Sequence, residues 1–152
     1  MDWLTLAALL ALFAGLTAVL AKIGVASVPS NLATLVRTVV VVGFATGVVL
    51  ARGELSAVRS IPTKGWVFLG LSGVATGLSW LCYFAALKKG PISGVAPIDK
   101  LSFVVAMALG VLVLREPVRP LTLLGAVLIT VGALLTVPSV QAYLLPAGGP
   151  RG

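Results

Sequence analysis

Residues 3–23 read WLTLAALLALFAGLTAVLAKI, a run in which Lys22 alone is charged. A helix needs about 20 apolar residues to cross a hydrocarbon layer about 30 Å thick, and this stretch has that length. It is preceded by Asp2 rather than by Lys or Arg, and it exceeds the apolar core of a cleaved signal peptide, so it reads as a retained span. Four further stretches have the same character, at about 32–51, 66–87, 95–114 and 121–140. The expected fold is an all-α membrane protein of five transmembrane helices, forming one domain over residues 1–145 with a disordered tail at 146–152.

The segments between the spans carry proline with polar or charged residues, where helices stop. They are Val28 to Asn31, Arg52 to Gly65 with Pro62, Lys88 to Pro91, and Arg115 to Pro120. Ser30 or Asn31 is placed to cap the second span by accepting from its unpaired N–H groups.

Composition agrees with a membrane solvent. Hydrophobic residues make up 59% of the 152 and charged ones 10%, with a mean hydropathy of +1.15, against roughly a quarter charged in soluble domains. The net charge of +7 does not point to nucleic acid, because the Lys and Arg are scattered singly through the apolar pattern. Lipid headgroups are the expected partner of these cations. Histidine is absent and Cys82 is the sole cysteine, which excludes disulfide frameworks and Cys/His metal sites within one chain. Four carboxylates and no hydrolase or nucleotide-binding motif argue against an enzyme, and no cofactor is expected.

Small residues recur at four-residue spacing, with Gly43 and Gly47, Gly73 and Gly77, and Ala106 and Gly110, while Gly125 and Gly132 share a face. Helices in lipid associate through close backbone approach, which small residues permit. The pattern predicts a tightly packed bundle.

Charges inside spans cost about 2.5 kcal/mol or more on insertion scales, so those retained line a path or pair with one another. Here they are Arg37, Asp99 and Lys100, with Lys22 near the end of the first span. Asp99 is the one acid inside a span, two residues after Pro97, which removes a backbone donor. On a continuous helix Asp99 shares a face with Ser102, Phe103, Ala106 and Gly110, whereas Lys100 points about 100° away and either pairs with a neighbouring helix or snorkels. Arg37 has the same two readings. Thr76, Trp80, Tyr83 and Leu87 follow helical spacing with Phe84 beside them, an aromatic stripe that forms either a pocket wall or packing. The candidate substrate-pathway residues are Asp99, Lys100, Arg37, Lys22, Trp80, Tyr83 and Ser102.

Orientation follows the Lys and Arg of the loops. Arg52, Arg59, Lys64, Arg115 and Arg119 fall on the side of the N-terminus, and Lys22, Lys88, Lys89 and Arg151 on the other, a nearly flat bias that is compatible with insertion in both orientations.

The stretch from Lys22 to Glu116 resembles the EamA-type family of the drug/metabolite transporter superfamily. The resemblance rests on Ala21 to Val25, Asn31 to Thr34 with Arg37-Thr38, Gly77 to Leu87, Gly90-Pro91, Val95 to Ser102, and Leu114-Arg115-Glu116. Such proteins typically have ten spans as two inverted five-helix repeats around a substrate cavity, so the resemblance implies one repeat, working as a dimer or with a paired half. It further implies a secondary transporter exporting a small metabolite or drug-like molecule across the plasma membrane, in bacteria the inner membrane, by alternating access. Small multidrug relatives use a glutamate in the first helix for proton-for-cation exchange, and the first span here has no acid beyond Asp2, which leaves a zwitterionic or anionic metabolite at least as suitable. An accessory membrane subunit that moves nothing is the competing function, although a scaffold needs no charges within its spans.

Overall fold

The computed structural model describes residues 2–144; the tail predicted at 146–152 lies outside them. The described residues are helical with short connections and divide into two units at Lys89/Gly90.

The first unit holds α1 (Trp3–Val25), α2 (Ser30–Ala51), a short 3-10 helix (Glu54–Ser60) and α3 (Thr63–Lys89). α1 starts where Asp2 accepts hydrogen bonds from the Thr5 backbone N–H at 3.1 Å and from the Thr5 hydroxyl. Those bonds favour the ionised carboxylate and hold its pKa below the usual value. α2 begins differently from the reading above: Ser30 is its first helical residue, Pro29 precedes it, and no side chain caps it. The rigid φ of proline fixes the entry into the helix without a capping hydroxyl. The segment between Arg52 and Gly65, expected as a turn, contains the 3-10 helix, entered through Gly53 at φ 67°.

Burial in this unit is confined to one end. Ala18 and Val25 of α1, Thr34 of α2, and Phe84 and Leu87 of α3 are its buried residues, all near the close of α1, the opening of α2 and the close of α3. Two lysines stitch this end together. The Lys22 ammonium donates to the Leu87 carbonyl, and the Lys88 ammonium donates to the Val28 carbonyl at 2.8 Å. Leu87 lies in the last turn of α3, where carbonyls lack intrahelical partners and the helix dipole is negative, so a cation there is favoured on both counts.

The second unit holds α4 (Ile92–Asp99), α5 (Ser102–Leu114), α6 (Pro120–Leu135) and α7 (Pro138–Leu144). The fourth predicted span, 95–114, is thus two helices. Pro97 has no N–H to offer the Ser93 carbonyl, and just beyond it the ladder tightens. The Lys100 N–H bonds to the Pro97 carbonyl at 3.1 Å and the Leu101 N–H to the Ile98 carbonyl at 3.0 Å, each three residues back. The fifth predicted span, 121–140, runs straight only to Leu135 and then bends by 87° into α7. Pro138 disfavours helical backbone at Val137, and Gln141 Nε2 donates to the freed Leu135 carbonyl at 2.9 Å, which fixes the bend. α6 alone, with 16 residues, is roughly 24 Å long at 1.5 Å per residue. By length and composition α1, α2, α3 and Ile92–Leu114 can each cross a membrane, and the bent α6–α7 pair makes a fifth if counted as one span.

Inside each unit, the close approach expected at the glycines is not made among the described residues. A Cβ placed on Gly43, Gly47, Gly73, Gly77, Gly125 or Gly132 would meet nothing within 4 Å, and Gly110 alone of those named faces a neighbour, the Glu116 carboxylate at 3.3 Å. Large apolar side chains along every helix are exposed in the same way.

Leu87 is 0% exposed at the stitched end and Leu112 is 77% exposed. Leu87→Ala is expected to destabilise the folded state by about 2–5 kcal/mol through the cavity it leaves, and Leu112→Ala by well under half of that, measured by denaturant unfolding in mixed micelles.

Candidate substrate pathway

Arg37 is the eighth residue of α2, roughly 10 Å along the axis from Ser30 at 1.5 Å per residue. Its guanidinium carbon lies 4.4 Å from the centroid of the Trp80 ring and 5.7 Å from that of Phe84. Trp80 and Phe84 are one helical turn apart on α3, so they present consecutive rings on one face. Trp80 precedes the end of α3 by nine residues. The side chain therefore does not snorkel to the helix end; it is laid across the aromatic face at depth. Tyr83 is half-buried and meets Phe84 edge to face, with centroids 6.3 Å apart and planes at 78°.

Beside this stack lies a cavity of about 370 Å³. α1 contributes Thr17, Leu20, Ala21 and Gly24 to its wall, the following connection Val28, α2 Ala33, Val36 and Arg37, and α3 Phe84. The wall is aliphatic apart from the Thr17 hydroxyl, the Phe84 ring and the Arg37 guanidinium. Thr34 and Thr38, on the same helix as Arg37, donate their hydroxyls to the Ser30 and Thr34 carbonyls at 3.0 and 2.8 Å. Their polarity is thus consumed inside the helix.

Magnitudes show what Arg37 still lacks. A cation at membrane depth costs about 2.5–3.5 kcal/mol on insertion scales, while a cation–π contact returns about 0.5–2 kcal/mol depending on desolvation. Among the described residues no carboxylate or carbonyl accepts a hydrogen bond from Arg37. The stack offsets only part of the cost.

In the second unit Asp99 and Lys100 sit at the break between α4 and α5, and their Oδ2 and Nζ form an ion pair at 3.2 Å. On a continuous helix Lys100 is expected to pair with another helix or snorkel. The interruption and the long lysine stem let neighbours pair instead. The same interruption removes the expected common face running from Asp99 to Gly110 along one helix. Ser102 opens α5 and is exposed. The candidates therefore form two groups, Arg37 with Trp80 and Tyr83 in the first unit, and Asp99, Lys100 and Ser102 in the second, while Lys22 is engaged at the end of α3. Sequence reading passed over Phe84 as an Arg37 contact and the α1 wall of the cavity. The Trp80/Phe84 spacing could have given the first; aliphatic lining leaves no signal for the second.

Residues 1–137 match the EamA-like transporter family. The chain belongs to that family. The resemblance seen between Lys22 and Glu116 is borne out, and the protein is a multi-pass membrane transporter by family. It is 50% identical over 134 residues to a Sinorhizobium sp protein named "Uncharacterized transporter in cobO 3'region", an alignment that spans 88% of this chain and 95% of that one, so the two are of similar length. No solved structure matches.

The Lys22 bond to the α3 carbonyl marks that residue as a fastening between helices. Lys22→Met is expected to lower stability by about 1–3 kcal/mol, as for loss of a hydrogen bond made by a charged group, with Lys22→Arg retaining most of it. The check is unfolding in mixed micelles alongside hydrogen exchange of residues 84–89.

Proposed function

We propose that this chain is one half of a secondary transporter that exports a small organic metabolite across the plasma membrane by alternating access, working as an antiparallel homodimer. The observation that carries the reading is the retention of Asp99 and Lys100 as an ion pair at a break in a membrane span. Interrupted helices in transporters place ends and free carbonyls at membrane depth beside the substrate path. A chain that only scaffolded a neighbour would gain nothing from the cost of burying these charges.

Dimerisation draws on three observations. The glycine rows of α2 and α3 stand open, and close approach of a second helix is what such rows permit. Large apolar side chains remain uncovered on every helix. The loop cations are nearly balanced between the two sides, so a second copy can insert upside down and supply the inverted half. With Arg37, Lys22 and Lys100 against Asp99 as the one acid among these residues, the path suits a zwitterionic or anionic solute better than a cation.

The test is charge movement on solid-supported membranes carrying the purified protein, challenged with a panel of amino acids, organic acids and amines. At least one solute is expected to give a transient current, and Asp99→Asn is expected to reduce it at least ten-fold while membrane insertion is unchanged. A full current from Asp99→Asn would remove Asp99 from the path, and the absence of both a current and counterflow of labelled solute in proteoliposomes for every member of the panel would contradict transport.

A further inference from the structure

We infer that the cavity beside Arg37 is a binding site for a small monocarboxylate with an apolar body. The inference rests on the transporter reading and names the solute class of this pocket. Arg37 lines the cavity, its guanidinium carbon lies over the Trp80 ring at 4.4 Å from the centroid, and no acceptor within the described residues takes its N–H groups. Stacking on a ring engages the face of the guanidinium and leaves the in-plane N–H donors for another partner. A planar fork of donors in a medium of low dielectric calls for an anion, and a carboxylate meets it with two parallel hydrogen bonds.

The remainder of the wall sets the rest of the ligand. Leu20, Ala21, Val28, Ala33 and Val36 offer no hydrogen bonds from their side chains, and the Thr17 hydroxyl alone cannot pair the several hydroxyls of a sugar or a polyol. The wall holds one cation and no acid, so a dicarboxylate would bring a second charge without a partner, and an amino acid an ammonium without one. The volume of about 370 Å³ is at the small end of the roughly 300–1,000 Å³ usual for small-molecule sites, which suits a single ring or a short branched chain. A carboxylate with an apolar body shares its chemistry with the anionic headgroup and acyl chain of a phospholipid, and the test separates the two.

The test uses the full chain in phosphatidylcholine nanodiscs with Trp3→Phe and Trp66→Phe, so that emission comes from Trp80 beneath the guanidinium. Cyclohexanecarboxylate is titrated against its neutral amide and against cyclohexylmethylammonium, all transparent at the wavelengths used. A saturable change in Trp80 emission is expected with the carboxylate, and binding at least ten-fold weaker with the other two. Arg37→Gln is expected to weaken the carboxylate ten-fold or more, and Arg37→Lys less. Ala33→Leu fills the cavity from α2 while keeping the Arg37 guanidinium and both rings, and is expected to weaken binding as well, which keeps the test decisive where an Arg37 variant fails to fold. Equal binding of acid and amide, or carboxylate affinity unmoved by both Arg37→Gln and Ala33→Leu, would overturn the site. A change produced by phosphatidylglycerol in the nanodisc that the carboxylate cannot reverse would assign the pocket to lipid and overturn it too. Counterflow of labelled cyclohexanecarboxylate in proteoliposomes is the separate readout. Binding without movement upholds the pocket and contradicts its place on the transport path, whereas currents from other solutes with no carboxylate binding overturn the pocket and leave transport standing.

Discussion

Hydrocarbon offers no hydrogen bonds, so polar groups in the spans of this chain must find partners within the protein or in what it binds. That constraint accounts for the details that are not simple hydropathy. The hydroxyls of Thr34, Thr38, Thr76 and Thr130 each donate to a carbonyl four residues back on their own helix. Lys22 and Lys88 close carbonyls at the end of α3 and after α1. Gln141 takes the carbonyl freed where α6 ends. Asp99 and Lys100 neutralise one another at the break that Pro97 opens. Arg37, about two turns into α2, has an aromatic face and no anion among the described residues, and the cavity lies beside it.

Hydropathy made α1, α2 and α3 legible, because a long apolar run between proline-bearing connections can hardly be anything but a membrane helix. Interruptions were harder to read. Pro97 was visible as a lost donor, yet its effect appears three residues later, where Lys100 and Leu101 adopt three-residue hydrogen bonds. Pro138 lay inside the predicted fifth span and went unread, because a window of apolar residues measures length and is blind to the restriction that proline places on Val137. The site was half legible. Charge within a span marked Arg37, Asp99 and Lys100, since the cost of burial makes such residues stand out. Their partners were not, because pairing Arg37 with Trp80 requires knowing which faces of α2 and α3 meet.

The glycine rows carry the same lesson in reverse. Their spacing is real, but among the described residues the open faces of Gly43, Gly47, Gly73 and Gly77 meet nothing within the first unit, nor those of Gly125 and Gly132 within the second, so these rows do not serve packing inside either unit. In water an exposed apolar surface of this extent would drive aggregation. In a bilayer it is neutral towards lipid and selective only where shapes allow close contact, which glycine rows provide. The proposed second copy would take those faces.

The central claim, that the working unit pairs one copy with an inverted one, is tested most directly by the side of the membrane on which the end of the chain lies. Fusions at the C-terminus to a reporter active only in the cytoplasm, and to another active only outside it, measure the two populations. An antiparallel homodimer requires substantial activity from both, with two lysines added beside Arg59 driving the population to one side. Activity from one reporter alone, unmoved by that charge change, would contradict an antiparallel homodimer.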